Sequence, residues 1–152
     1  MTGVIAGFES TGIDDNAAGA IAITINSDEE VGIGTATPAK QLHITKSAVA
    51  DIVGLTDAAN ISSDFDTGQN FSVTLAGNRT LDNPTNITAG QTGSIFITQD
   101  GTGSRTLAYG SYWDFAAGAA PTITTTAAAV DRIDYVVRSA TSIQAVATLA
   151  YS

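Results

Sequence analysis

A chain of 152 residues is the size of one ordinary domain with room for an arm, and its 43% hydrophobic share is heavy in alanine. The large apolar side chains are few, so burial between subunits is expected to supplement a thin core. Fifteen acidic residues against six basic ones leave a net charge of -9 and exclude a phosphate-backbone binder, which needs clustered Lys and Arg. With no cysteine, disulfides and Cys-ligated metals are excluded too.

The opening "MTGVIAGFESTG" lacks the basic start and apolar run of a secretion signal. Residues 1 to about 19, rich in Gly, Ala and Asp, read as an extended or irregular arm. "AAGAIAITI" is far short of the roughly 20 residues of a membrane span, so no membrane partner is expected. Within it Ile21, Ile23 and Ile25 alternate with small residues, a strand period. "SDEE" reads as an acidic turn, "VGIGTATP" as a short strand ending at Gly34, and "KQLHIT" as a strand with Leu42 and Ile44 on one face. A hairpin of this size is marginal alone, so Ile21, Ile23, Ile25, Leu42 and Ile44 are the candidate contacts for a trimer or for attachment to a shell. "SAVADIVGLTDAAN" is the one stretch before residue 60 that allows a helical turn, and the composition changes there. The expected division is an arm over 1–50 and a denser β domain over 51–152.

In that domain "NFSVTLA" places Phe71, Val73 and Leu75 inward, and "SIFITQD" does the same with Ile95 and Ile97. "RTLD", "SRTLAY" and "PTITTT" are further strand candidates. "TAAAVD" suggests one helical turn, and "IDYVVRS" with "SIQAVATLAY" forms a hairpin. The pattern Gly-x-Arg-Thr-Leu occurs twice, at Gly77–Leu81 and Gly103–Leu107. Each copy reads as a glycine turn followed by a strand with its leucine in the core. Arg79 and Arg105 then lie at the rim of the same face, as exposed residues or as partners of acids across a subunit contact. Several short strands with Gly-rich turns predict an all-β protein: an extended β arm followed by a jelly-roll-like β-sandwich.

The same residues carry a resemblance. "LAGNRTLDNPTN", "QDGTGSRTLAYGSYWDF" and "AAPTITTTAAAVDRIDYVV", within Leu55 to Ala147, resemble a module of tailed-bacteriophage virion proteins, found in tail fibres and on virion surfaces. "AIAITINSDEEVGIGTATPAKQLHI" looks like a segment of phage tail fibres that lies in intertwined trimeric β structure. The resemblance implies a virion structural protein on the particle surface, trimeric, with the major capsid protein or other virion proteins as partners. Fibres are usually much longer than this chain, which favours a capsid decoration (cement) protein. The alternative it implies is a short tail fibre or receptor-binding tip that contacts host glycan.

Catalytic chemistry is sparse. His43 is the one histidine, and no Gly-x-Ser-x-Gly elbow accompanies it. "SDFDTG" is half a calcium loop without its distant Glu and reads better as an Asx turn. "VGIGTATP" lacks the Gly-Lys-Ser/Thr of a phosphate loop. Asn60, Asn70, Asn78 and Asn86 stand in glycosylation-like triplets that an Asn- and Thr-rich chain produces by chance. The cluster Tyr109, Tyr112, Trp113 and Phe115 plugs a core or, with Arg79 and Arg105, offers an interface or glycan platform. The expectation is a non-enzymatic protein with no cofactor, no metal and no nucleic-acid partner.

Overall fold

The computed structural model describes residues 23–151. Residues 1–22 of the predicted arm, Ile21 among them, lie outside the described residues. The chain divides into two compact units between Val49 and Ala50.

In the first unit, β1 (Ile23–Ile25), β2 (Val31–Ile33) and β3 (Leu42–Ile44) form a sheet in that order. β1 and β2 are antiparallel, and β2 and β3 are parallel. The turn between β1 and β2 is the acidic one predicted. It is closed by the Asn26 side chain, whose Oδ1 accepts from the backbone N–H of Asp28 and Glu30. The β2–β3 connection folds onto one face of the sheet. A Cβ at Gly32 would sit 2.5 Å from the Thr35 carbonyl oxygen, so only glycine lets this connection approach so closely.

The second unit is all β. One sheet of six strands has the order β10 (Trp113–Phe115), β12 (Ser142–Tyr151), β11 (Val130–Ser139), β8 (Thr92–Gln99), β6 (Asn70–Leu75), β4 (Ile52–Gly54). The other has the order β5 (Asn60–Ile61), β7 (Arg79–Leu81), β9 (Leu107–Tyr109). A jelly roll would pair neighbouring strands antiparallel. Here β4, β6 and β8 are parallel, as are β5, β7 and β9. From β4 to β9 the chain crosses from one sheet to the other at each strand and advances one position per circuit, so the two layers are joined as a short coil, and β10 lies at the far edge of the larger sheet beside β12. The antiparallel hairpin β11–β12 then extends the larger sheet beyond β8.

Parallel, in-register stacking explains why alternating residues close a core. Val53, Phe71, Ile95 and Ile133 are successive partners across β4, β6, β8 and β11. Phe71, Ile95 and Ile133 have no exposed surface. Ile61, Leu81 and Tyr109 repeat the device in the smaller sheet. Both layers contribute to one hydrophobic core. Rings run through it: Phe65 stacks on Phe71 at 5.4 Å and on Tyr135 at 4.7 Å, and Trp113 meets Tyr135 edge-on at 6.2 Å.

Asparagines fasten one circuit to the next. Asn78 Oδ1 accepts from the Thr106 N–H, Asn83 Oδ1 from the Tyr112 N–H and Asn70 Oδ1 from the Ser94 N–H, while Asn86 Nδ2 donates to Asp64. Side-chain amides suit this work because they supply both a donor and an acceptor to turns that lack a ladder. Three of the four asparagines in glycosylation-like triplets are therefore structural clips.

Three local expectations change. Ser47–Asn60 holds no helix. Its β-branched Ile52 and Val53 enter β4, where Val53 stacks beside Phe71. "TAAAVD" is a tight turn, with Ala129 N–H donating to the Thr126 carbonyl and Ala128 at φ 60, because the chain must reverse into β11. "PTITTT" buries Ile123 but joins no sheet.

Candidate functional site

The residues singled out from sequence fall into two places. The first is the sheet β1–β3. Its register aligns Ile23, Ile33 and Ile44 in one row and Ile25, Val31 and Leu42 in the next. All six aliphatic side chains therefore share one face, opposite the connection that covers Gly32. Ile25 is 69% exposed, Leu42 59%, Ile23 43% and Ile33 40%. Sequence reading found four of the six; Ile33 and Val31 were missed, although "VGI" has the same two-residue period. The opposite face carries Thr24, Gly32 and His43, and His43 Nδ1 accepts from the Ala39 N–H. His43 thus pins the covering connection.

The second place is the pair of arginine corners. Arg79 grips Asp57 with two bonds, Nε to Oδ1 at 2.8 Å and Nη2 to Oδ2 at 2.6 Å. Arg105 grips Asp100 Oδ2 through Nε and Nη2, at 3.1 and 2.7 Å. Both pairs close within one chain, where the sequence alone leaves these arginines as exposed rim residues or as partners of acids across a subunit contact. The Arg79 guanidinium holds the Asp57 carboxyl below its usual range, and Arg105 does the same for Asp100. Asp100 also accepts from the N–H groups of Thr102 and Gly103, so it organises the whole turn.

The two Gly-x-Arg-Thr-Leu copies are not equivalent. Arg79 stands beside Leu107, and Leu81 beside Tyr109, a slip of two residues. The buried Gln99 side chain causes it. Gln99 Oε1 accepts from the Arg105 N–H and its Nε2 donates to the Arg105 carbonyl, so the strand begins after Arg105. An even slip keeps Leu81 and Leu107 both in the core. The glycines differ as well: Gly103 has φ 71, whereas Gly77 has no positive φ.

The aromatic cluster points inward. Trp113 is 6% exposed and donates its indole N–H to the Asp82 carbonyl at 3.0 Å. Tyr109 meets Phe115 edge-on at 4.7 Å, and Tyr112 is half-buried. Burial, and then the negative charge of Asp131, push the Tyr109 hydroxyl well above its usual range. Trp113 belongs to the hydrophobic core and Tyr109 packs against it.

Asp131, 2% exposed, is held by two backbone donors, the N–H groups of Thr124 and Ala150 at 2.6 and 2.8 Å. It ties "PTITTT" and the last strand to β11, a structural role that the sequence did not suggest. Asp64 Oδ1 accepts from the Asp66 N–H, the Asx turn expected of "SDFDTG". Among the described residues no cluster of His, Asp and Glu could hold a metal, and no helix is long and apolar enough to cross a membrane. Comparison with protein-family models, with curated proteins and with solved structures finds no match for this chain.

Proposed function

We propose that this chain is a non-enzymatic structural protein of a bacteriophage virion, assembled as a homotrimer that decorates the capsid and stabilises it. The observation that carries the assembly is the aliphatic face of β1–β3. Six Ile, Val and Leu side chains face one way, and four of them are at least two-fifths exposed. A face of this kind is costly in water, and covering each half-exposed side chain is worth on the order of 1 kcal/mol. Identical faces from further copies cover one another without any charge to bury. The virion role rests on the sequence resemblance over Leu55–Ala147. The compact coil agrees with it, because circuits clipped by asparagines and closed by intrachain ion pairs make a rigid, acidic knob. Decoration then acts by mass action, adding buried area where shell subunits meet.

The test is location. An antibody against the purified protein, applied to intact virions and viewed by electron microscopy, is expected to label the shell. Label confined to the tail tip would favour host contact, and virions without label would overturn the virion reading.

A further inference from the structure

The outer face of the larger sheet carries a groove of about 480 Å³ between β10, with the turn that follows it, and the hairpin β11–β12. Tyr135, Val137, Ile143 and Ala145 point into the core, so their neighbours Val136, Gln144 and Val146 point out. Val136 is 47% exposed and Val146 65%. Two carboxylates flank these valines. Asp134 lies beside Val146 and is already held by Arg132 and by the Ser94 hydroxyl. Asp114 lies beside Gln144 and accepts from the Ser142 hydroxyl. Among the described residues no cation pairs with it.

From Ala50 onward nine aspartates stand against four arginines. Arg79, Arg105 and Arg132 are each paired within the chain. The fourth, Arg138, is exposed and has no carboxylate partner among the described residues. It is the extra residue of a bulge in β11, where Val137 stands opposite Ile143 and Ser139 opposite Ser142. In such a bulge two residues oppose one, so Arg138 and Ser139 share Ser142, the residue that bonds Asp114. An unpaired cation, a carboxylate without a cation and two bare valines therefore lie side by side.

The occupant that fits this arrangement is a second copy of the same face. Copies of a chain with net charge -9 repel one another over most of their surface. Here they do not, because Asp114 and Asp134 are balanced by Arg132 and Arg138. Turned about a two-fold axis, each copy's Arg138 meets the other's Asp114, and the contact is made twice. With strands about 4.8 Å apart and residues about 3.4 Å apart along them, such an axis passes beside Val136. An exposed ion pair alone is weak, so affinity comes from covering Val136 and Val146, and the ion pairs set the register.

We propose that the coil self-associates through this groove, two copies joined about a two-fold axis by reciprocal Arg138–Asp114 pairs around Val136. The contact lies on the coil and not on β1–β3. It needs neither the virion reading nor the trimer, and the labelling experiment and the following one fail separately.

The native chain lacks cysteine, so thiol cross-linking has no background. Full-length Val136→Cys is mildly oxidised beside a control, Ala108→Cys, which is exposed on the other sheet. Joined chains are expected to exceed the control by roughly tenfold or more, because seated thiols meet at a millimolar or higher effective concentration. Adding Arg138→Asp or Asp114→Arg to Val136→Cys should return the yield to that of the control, since each copy then meets a like charge. Mixing these two charge variants should restore joining as a hetero-pair, identified by intact mass, because both reciprocal contacts are again opposite in sign. Rescue by mixing cannot arise from a pair within one chain. Circular dichroism confirms that each variant is folded. A Val136→Cys yield equal to the control, charge variants that join as well as their parent, or a mixture that stays separate each overturn the proposal.

Discussion

At the scale of single residues, the doubled Gly-x-Arg-Thr-Leu pattern shows how one motif serves two environments. Gly103 has φ 71, and a Cβ there would stand 2.6 Å from the Thr125 carbonyl oxygen and 2.7 Å from the Ala127 nitrogen. Both atoms are backbone and cannot move aside. Gly77 faces only the flexible guanidinium of Arg79. Gly103→Val is therefore expected to destabilise by about 2–4 kcal/mol, combining backbone strain with overpacking, and Gly77→Val by much less. Thermal melts of the two variants decide it, and equal losses would refute the distinction. Asn83 makes a two-bond clip, accepting from Tyr112 and donating to Ser111. Asn83→Ala leaves the Tyr112 N–H without its acceptor and is expected to cost about 1–3 kcal/mol in urea unfolding, with an unchanged m-value. A cost under a few tenths would mean that water replaces the clip.

At the scale of elements, the two sheets of the coil and the sheet β1–β3 solve the same problem differently. In the coil each strand has a covered inner face, because the opposite layer lies over it. β1–β3 covers one face with its own connection, through Gly32, and leaves six aliphatic side chains on the other. The double variant Ile25→Glu with Leu42→Glu places charge on that face where nothing in its own sheet packs. Sedimentation equilibrium is expected to show a monomer where the proposed trimer forms in the unaltered chain, while the circular dichroism of the coil stays unchanged. A variant that remains trimeric would show that assembly uses another surface. Deleting residues 1–45 is expected to leave a cooperative melt, since Ala50 onward has its own core. The same truncated protein should fail to attach to particles, and normal incorporation would contradict the proposed role of the arm.

At the scale of the whole molecule, titration links the corners and the core to pH. Asp57 and Asp100 lie below their ordinary 3.8 because each is bonded to an arginine. A depressed carboxyl stabilises the fold above its unfolded value and loses that contribution as pH falls through the folded one. The acid limb of the stability profile should therefore begin near pH 4 and steepen below it. Arg79→Ala and Arg105→Ala should each flatten that limb as well as lower the melting temperature. Tyr135 is pushed up from 10 to about 12 by burial, with its hydroxyl donating to the Gln69 carbonyl at 2.8 Å. A raised tyrosine is neutral and harmless below 10, and its contribution is lost as pH rises through about 12. Denaturant unfolding from pH 2 to 12 should show a plateau between these limbs. A Tyr135→Phe variant should weaken the alkaline decline, and an unaltered decline would assign it elsewhere.

Much of this protein was legible from its residues alone. Two-residue alternation found β1, β6, β8, β11 and β12 and placed Phe71, Val73, Leu75, Ile95, Ile97, Leu81 and Leu107 in the core, because side-chain direction along a strand depends only on local geometry. Glycine and charge marked the turns at Asn26–Glu30 and Asp100–Gly103 for the same local reason. Strand direction was not legible. Parallel and antiparallel neighbours bury the same alternating residues, so the pattern could not separate a coil from a jelly roll. The slip of two residues between the Arg-Thr-Leu copies was also hidden, since it depends on Gln99 reaching the Arg105 backbone. The partners of Arg79 and Arg105, and the groove beside Val136, depend on which segments the coil brings side by side. Local periodicity belongs to the chain itself; register, pairing and unfilled space arise only when distant segments meet, and those the tertiary structure alone decided.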